Sequence, residues 1–156
     1  VTAFLKEKGI SVIASSPYKR AYDTVAEFAR HKGIEILCLE AFKERHIAGG
    51  WIEDFAAFSR RQWEDFSYKR ADGESLGDVQ ARNVKALYEL LSSYPDQAMA
   101  IGTHGTALST IIHYFDPSYN FERFTEIKDQ VPWIVHFRFN GNNCVSIEPF
   151  NLFDTV

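Results

Sequence analysis

The 156-residue sequence is poor in cysteine and contains no apolar run of the length that a membrane helix needs. Its two cysteines, Cys38 and Cys144, lie far apart, which excludes a disulfide framework and is typical of a reducing compartment. A membrane-spanning helix requires about 20 consecutive apolar residues, and residues 1–10 lack the basic-then-apolar pattern of a signal peptide. We therefore expect a cytoplasmic protein with no membrane partner.

The sequence also lacks an excess of positive charge. Lysine and arginine together number 17 against 21 acidic residues, so the formal net charge is −4, and nucleic acid is not an expected partner. Local arginines can still bind a small anionic substrate. No metal-ligand spacing involves the cysteines, and the 46% hydrophobic content predicts one domain with a full core over residues 1–156.

Strand and helix patterns alternate along the chain, which predicts an α/β fold with a parallel sheet and right-handed crossovers. Predicted strands cover residues 10–15, 34–39 and 98–102, and predicted helices cover residues 1–9, 16–32, 76–94 and 105–114. Ser16 is expected to cap the second helix, with Pro17 as its first residue. Residues 118–131 show no clean period. Residues 133–139 and 144–147 predict a β-hairpin at one side.

The clearest stretch is the apolar run at residues 98–102, which leads into Thr103-His104-Gly105 and then a helical pattern. Small apolar residues without proline or charge are typical of a strand buried between helical layers. His104 is then expected at the strand's carboxyl end, where open α/β sheets bind ligands. The amides of Gly105 and Thr106 are expected to point at an anion there, and Gly105 allows close approach. The alternative is a histidine that only packs or caps at the strand end.

Two further side chains are expected at the same sheet edge. Arg20 lies in the first turn of the helix that follows the first strand, where a guanidinium can hold two phosphate oxygens. Glu44 lies in the loop after the second strand, where a carboxyl group in a crevice can hold a proton and act as an acid. Considered singly, each side chain is more often a solvated surface residue.

Residues 51–68 are dense in aromatic side chains. This density predicts a helix packed in the core, with a lid or a dimer patch as the alternative. The oligomeric state is left open between a monomer and a homodimer.

Four motifs, in this order, resemble those of the histidine phosphatases, also called the phosphoglycerate mutase-like superfamily. The segments are Ser15-Ser-Pro-Tyr-Lys-Arg20, residues 42–53, Gly73-Glu-Ser-Leu76 through Arg82, and Thr103-His-Gly105. The resemblance covers residues 1 to about 115, and four motifs in the family's order are far more specific than any one of them.

This resemblance implies a three-layer αβα fold with a mostly parallel central sheet, and phosphotransfer through a phosphohistidine without a metal or cofactor. Carried over residue by residue, it implies that Arg20, His104 and Gly105 line the phosphate pocket. It also implies that Glu44 and His104 are catalytic, with Glu44 donating a proton to the leaving oxygen. Fixed positive groups and an acid are what phosphoryl transfer requires.

One departure from the family is large. The family's Arg-His-Gly motif, which supplies the nucleophilic histidine from a first central strand, occurs nowhere in the sequence. We therefore expect this central strand to precede Val1, outside residues 1–156.

The motifs favour a phosphomonoesterase acting on a small phosphorylated metabolite. A cofactor-dependent phosphoglycerate mutase-type phosphotransferase is the alternative, because Glu44-Arg-His46 resembles the mutase version of its segment. Thr106 stands where mutases commonly carry Asn, which argues against that alternative. A non-catalytic phospho-ligand-binding domain is the second alternative, which applies if no nucleophilic histidine is present.

Overall fold

A computed structural model describes residues 1–127 and 130–152. Its elements in chain order are α1 (Thr2–Lys6), β1 (Ile10–Ser15), α2 (Lys19–Lys32), β2 (Ile36–Cys38), a 3₁₀ helix (Glu40–Phe42), α3 (Phe55–Glu64), α4 (Leu76–Ser93), β3 (Ala98–Gly102), α5 (Gly105–Phe115), α6 (Phe121–Ile127), β4 (Trp133–Asn140) and β5 (Asn143–Asn151). The alternation of strands and helices up to α5 confirms the predicted α/β class.

Three parallel strands form the central sheet in the order β2-β1-β3. At the carboxyl end of β1, Ser15 is in register with Cys38 of β2 and Gly102 of β3. The segments that leave these strands therefore start at one edge of the sheet, which is where the sequence predicts the site.

Successive residues of β1 point to opposite faces of the sheet. Ile13 packs with Val25 and Phe28 in a core formed with α1 and α2. Ala14 packs with Phe42 and with residues of α4 on the other face. Helices cover both faces, so the predicted three-layer αβα arrangement is confirmed.

The predicted hairpin is also confirmed, as a separate antiparallel sheet of β4 and β5. Its apolar side chains pack against α3, α5 and α6 in a cluster that includes Trp63, Ile112 and Phe137. Within the residues that the structure describes, the hairpin pairs only with itself, and the edge of β3 away from β1 has no strand partner.

Two helix ends follow the sequence prediction. Gly33 ends α2 in the left-handed conformation, with φ of 67°, which glycine adopts without steric cost. Ser75 caps α4 by accepting the Asp78 N–H, and the Asp78 carboxylate accepts the Ser75 N–H in return. This reciprocal capping box fixes the start of the long helix.

The predicted start of α2 is wrong. The helix begins at Lys19, with Tyr18 as its N-cap residue, rather than at Pro17 after a Ser16 cap. The Ser16 N–H donates to the Gly102 carbonyl at 2.8 Å, so Ser16 continues the path of β1 beside β3. Its hydroxyl has a partner outside the helix, described below, and is not used as a helix cap.

Three other elements differ from prediction. β2 is only three residues long, and the aromatic segment is helical only over Phe55–Glu64. Trp51 in that segment is 88% exposed, so it does not belong to the core. The short helix α6 has no sequence signature, and the ring of its Phe124 lies 5.4 Å from that of Trp63. Tertiary packing of this kind forms elements that lack amphipathic periodicity.

Both cysteines are free thiols. None of the helices in residues 1–127 and 130–152 is long and apolar enough to cross a membrane. Over the same residues, no group of three or more histidine, cysteine, aspartate or glutamate side chains could hold a metal ion.

Candidate active site

The carboxyl ends of β1 and β3 approach closely because β3 ends in a glycine. A Cβ atom at Gly102 would lie 2.7 Å from both the Ala21 carbonyl oxygen and the Ser15 Oγ. Only glycine therefore lets the end of β3 lie against the start of α2. This close approach brings the segment after β1 next to the segment after β3.

His104 lies at this junction and is held by hydrogen bonds from both sides. Arg20 Nε donates to His104 Nδ1 at 3.1 Å, and His104 Nε2 lies 2.9 Å from Ser16 Oγ. Because Nδ1 accepts a hydrogen bond, the neutral ring carries its proton on Nε2 and donates it to Ser16. Ser16 Oγ also accepts the Tyr18 N–H at 3.2 Å. The predicted neighbours Arg20 and His104 are thus in direct contact.

The surroundings of His104 disfavour its cationic form. The imidazole is only 6% exposed, and burial, together with the positive charges of Arg20 and Arg82, lowers its pKa to about 4. The ring is therefore neutral at pH 7.

Glu44 reaches the same edge from the loop after β2. Its Oε2 accepts the Thr106 N–H at 3.3 Å, and its Oε1 accepts the N–H of Arg45 at 2.8 Å. Thr106 is in the first turn of α5, whose N-cap residue is His104. The anion that meets the predicted amide of α5 is therefore the protein's own carboxylate, which places Glu44 beside His104.

Gly105, unlike Gly102, is not closely packed. A Cβ atom there would meet no atom within 4 Å, so packing among the described residues gives no steric reason for glycine. The predicted contribution of Gly105 to phosphate binding stays a prediction.

Tyr18 was not singled out from the sequence, although it borders the site. Its ring contacts His104 edge-on, with the ring centroids 5.4 Å apart. The Arg20 guanidinium lies 5.5 Å from the Tyr18 ring centroid, and Lys43 Nζ lies 5.3 Å from it. Two cations therefore contact the Tyr18 ring, which itself contacts His104.

Arg82 is a second residue whose role the sequence did not show. It lies three residues after Val79 and four before Ala86, and both of these are buried. A charged residue in the middle of a buried helical stripe is a signal that could have identified it. Its guanidinium lies at the loop that carries Glu44, donating to the Glu44 carbonyl at 3.3 Å.

A separate open groove of about 370 Å³ lies over α3 and its flanking loops. Its lining residues are Trp51, Ile52, Asp54, Ala57, Phe58, Arg61, Tyr68 and Arg70. Arg20, Glu44 and His104 do not line it. The Arg45 guanidinium connects the two regions, because it follows Glu44 in the chain and lies 5.8 Å from the Phe58 ring centroid.

Comparison with known families gives one match over nearly the whole chain. The model of the histidine phosphatase superfamily, branch 1, matches residues 1–148. Among characterised proteins, the glucosyl-3-phosphoglycerate phosphatase of Mycobacterium tuberculosis is 28% identical over 116 residues. That alignment covers 64% of this chain and 52% of the relative. The chain thus spans about half the length of the curated relatives it matches.

Solved structures show the same fold. Phosphoserine phosphatase from Entamoeba histolytica, in complex with phosphoserine, aligns with a TM-score of 0.70 at 21% identity, covering 98% of this chain and 79% of that one. The α-ribazole phosphatase from Shigella flexneri aligns with a TM-score of 0.69 at 16% identity, covering 96% of this chain and 77% of that one. Both likenesses establish the phosphoglycerate mutase-like architecture.

Proposed function

The chain belongs to the histidine phosphatase superfamily, and on that basis we propose that the protein is a phosphomonoesterase acting through a phosphohistidine on a small phosphorylated metabolite. The observation that carries the proposal is the 3.1 Å hydrogen bond from Arg20 to His104. It joins two motif segments that lie 84 positions apart in the sequence. The three similar proteins described above are named as phosphatases, which supports hydrolysis over a mutase reaction.

In the proposed binding step, Arg20 and His104 hold the phosphoryl group. Arg20 uses Nε on His104, and its two Nη groups can donate to phosphate oxygens. His104 Nε2–H, which Ser16 orients, can share its hydrogen bond with a phosphate oxygen. These donors are fixed before the reaction by mutual hydrogen bonds, which is what stabilisation of a charged transition state requires.

In the proposed transfer step, a histidine nitrogen forms a bond to phosphorus while the bond from phosphorus to the leaving oxygen breaks. Glu44 gives its proton to that oxygen. Water then attacks the phosphohistidine, the N–P bond breaks, the water proton passes to Glu44, and inorganic phosphate leaves. The family resemblance assigns the nucleophile to an Arg-His-Gly strand that residues 1–156 do not contain. Among the described residues, the edge of β3 away from β1 has no strand partner, which supports the proposal that this strand pairs there.

The test is phosphate-monoester hydrolysis by the full gene product. The phosphorylated protein is then trapped with labelled substrate, and the stability of the label in acid and in base is measured. We expect a base-stable phosphohistidine, located by peptide mass spectrometry outside residues 1–156. His104→Ala should lower kcat/KM by about 10²- to 10⁴-fold, whereas His31→Ala, at an exposed position of α2, should change it less than about twofold.

Several outcomes would overturn this proposal. Absence of both hydrolysis and a labelled histidine would leave a non-catalytic phospho-ligand-binding domain. Transfer of the phosphoryl group to a phosphoglycerate in preference to water would establish the mutase alternative. A label on His104 itself would make His104 the nucleophile.

The role of Glu44 has its own test. Glu44→Gln removes the transferable proton, so hydrolysis of alkyl phosphates should fall about 10²-fold or more, whereas that of p-nitrophenyl phosphate should fall far less. The difference arises because nitrophenolate leaves without protonation. Equal losses on both substrates would remove Glu44 from the role of acid.

A further inference from the structure

We propose that Arg82, paired with Glu74, is a positioning residue that fixes the acid loop, residues 41–46, so that the Glu44 carboxylate stays at the start of α5. This inference rests on the proposed function, because it gives Arg82 a role in the reaction only through Glu44. It extends that function by naming the groups outside the phosphate site on which proton donation depends.

The guanidinium of Arg82 uses all five of its N–H donors. Nε and Nη2 donate to the two Glu74 carboxylate oxygens at 2.8 and 3.0 Å. Nη1 donates to the carbonyls of Ala41 and Lys43 at 2.6 and 2.9 Å, and Nη2 donates to the Glu44 carbonyl at 3.3 Å. One rigid planar group therefore holds three carbonyls of the acid loop, and a lysine ammonium cannot reproduce this geometry.

Glu74 holds the other end of the acid loop. Its Oε2 accepts the His46 N–H at 2.8 Å, and its own N–H donates to the His46 carbonyl at 2.8 Å. The Glu74 carbonyl accepts a hydrogen bond from the fully buried Gln62 at 3.1 Å. The backbone is thus fixed on both sides of Glu44 by one ion pair.

The ion pair connects the acid loop to the start of a long, well-capped helix. Glu74 directly precedes the Ser75 cap of α4, and Arg82 lies two turns into that helix. The Arg82 and Glu74 side chains are only 23% and 27% exposed. An ion pair that is largely shielded from solvent, with bidentate geometry, is stronger than an exposed pair.

Neither Arg82 nor Glu74 makes a hydrogen bond to Arg20, Ser16 or His104 in the described part of the chain. The contacts of Arg82 end on the acid loop, whose Glu44 carboxylate reaches Thr106. Its loss should therefore displace the proton donor and leave the hydrogen bonds that hold His104 in place. This separation predicts a defect that depends on the leaving group.

The experiment compares Arg82→Met, Arg82→Lys and Glu44→Gln in the full gene product, with p-nitrophenyl phosphate and a series of alkyl phosphates. We expect Arg82→Met to lower kcat about 10- to 100-fold on alkyl phosphates and less than about threefold on p-nitrophenyl phosphate. Inhibition by inorganic phosphate should stay within about twofold. Arg82→Lys should restore part of the loss.

The double variant Arg82→Met with Glu44→Gln should be no slower on alkyl phosphates than Glu44→Gln alone, because both changes remove the same proton transfer. Lys69→Met is the matched control, since it removes an exposed ion pair to Asp78 in the first turn of the same helix. It should change both substrate classes equally, by less than about twofold.

If Arg82→Met does not fold, Glu74→Gln is the second variant and should show the same leaving-group dependence, because it weakens the bonds to Arg82 and His46. A uniform loss on all substrates, or a multiplicative loss in the double variant, would reduce Arg82 to a structural residue and overturn this inference alone. Uniform losses for Glu44→Gln itself would overturn the acid role of Glu44 and, with it, the inference.

Discussion

The phosphate edge (Ser16, Arg20 and His104) and the aromatic groove over α3 are built in opposite ways. At the phosphate edge, His104 is 6% exposed and hydrogen-bonded through both ring nitrogens. In the aromatic groove, Trp51 is 88% exposed, and the Arg61 guanidinium lies 4.0 Å from the Tyr68 ring centroid. One region is fixed by hydrogen bonds to a buried imidazole, and the other presents aromatic and cationic surface to solvent.

Under the proposed function, this difference assigns the chemical step to the phosphate edge and contact with the leaving group to the aromatic groove. Buried hydrogen bonds lose their strength when a partner moves by a fraction of an ångström, so the phosphate edge tolerates few substitutions. Substitution of an exposed side chain usually changes the free energy of unfolding by less than about 0.5 kcal/mol. Substitutions in the aromatic groove should therefore cost less stability than substitutions at the phosphate edge.

The largest effect should follow from Arg20→Lys at the phosphate edge. Lysine keeps the charge but loses the planar fork that bonds His104 and is proposed to bind phosphate, so kcat/KM should fall about 10²- to 10³-fold. Arg30→Lys, at an exposed position of the same helix, should stay within about twofold. Steady-state hydrolysis of p-nitrophenyl phosphate measures both, and similar small losses in the two variants would contradict a fixed phosphate edge.

Acid should weaken the phosphate edge more than the rest of the molecule. The pKa of His104 is about 4 in the folded protein and about 6.5 in an unfolded chain. Between these values the unfolded state binds more protons, so stability falls as pH decreases from about 6.5 to about 4, by up to about 3 kcal/mol.

Urea unfolding of the wild type and of His104→Gln across this pH range measures that contribution. The free energy of unfolding should decrease less steeply for His104→Gln. His136→Gln, which changes an exposed histidine of the hairpin, should follow the wild-type curve. Parallel curves for the wild type and His104→Gln would show that His104 is not buried in its neutral form.

A smaller effect is expected for Ser16→Ala. The change removes the acceptor of the His104 Nε2–H and of the Tyr18 N–H, and a hydrogen bond contributes about 1 kcal/mol, or about fivefold in kcat/KM. Ser11→Ala, on the exposed start of β1, is the control for loss of a hydroxyl group. Measuring kcat/KM of the two variants on one substrate is sufficient. Equal kcat/KM values for Ser16→Ala and Ser11→Ala would exclude a role for Ser16 in orienting His104.

The smallest effect should come from the aromatic groove. Trp51→Ala should raise KM about two- to fivefold for phosphate monoesters with an aromatic or bulky leaving group, and leave KM for small alkyl esters unchanged. Tyr114→Ala, an exposed aromatic change on α5, should leave both values unchanged. A KM that rises equally for all substrates would show that the groove does not contact the leaving group.

The sequence predicted the sheet edge well and the surrounding elements unevenly. Residues 10–15 and 98–102 have apolar runs typical of buried strands, and both segments form strands in the structure. α6 was missed because its residues have no helical period, and its formation depends on packing against Trp63. The aromatic content of residues 51–68 did not distinguish buried Trp63 from exposed Trp51.

In the candidate site, too, some residues were predictable from the sequence and others were not. Arg20, Glu44 and His104 could be proposed from their motifs, and the structure brings Arg20 into contact with His104 and Glu44 to the amide of Thr106. The hydroxyl of Ser16 was assigned to a helix cap, because local sequence shows a serine before a proline but not the imidazole 88 positions away.

By itself, the sequence determined the α/β class and the residue types available at the sheet edge, because strand periodicity and turn residues are local signals. Only the tertiary structure decided which of those residues meet. The bond between Arg20 and His104 requires β1 and β3 to be neighbours. Three of the five Arg82 donors reach carbonyls of the acid loop because α4 packs against the 3₁₀ helix after β2. Contacts between distant segments depend on packing that no local pattern encodes.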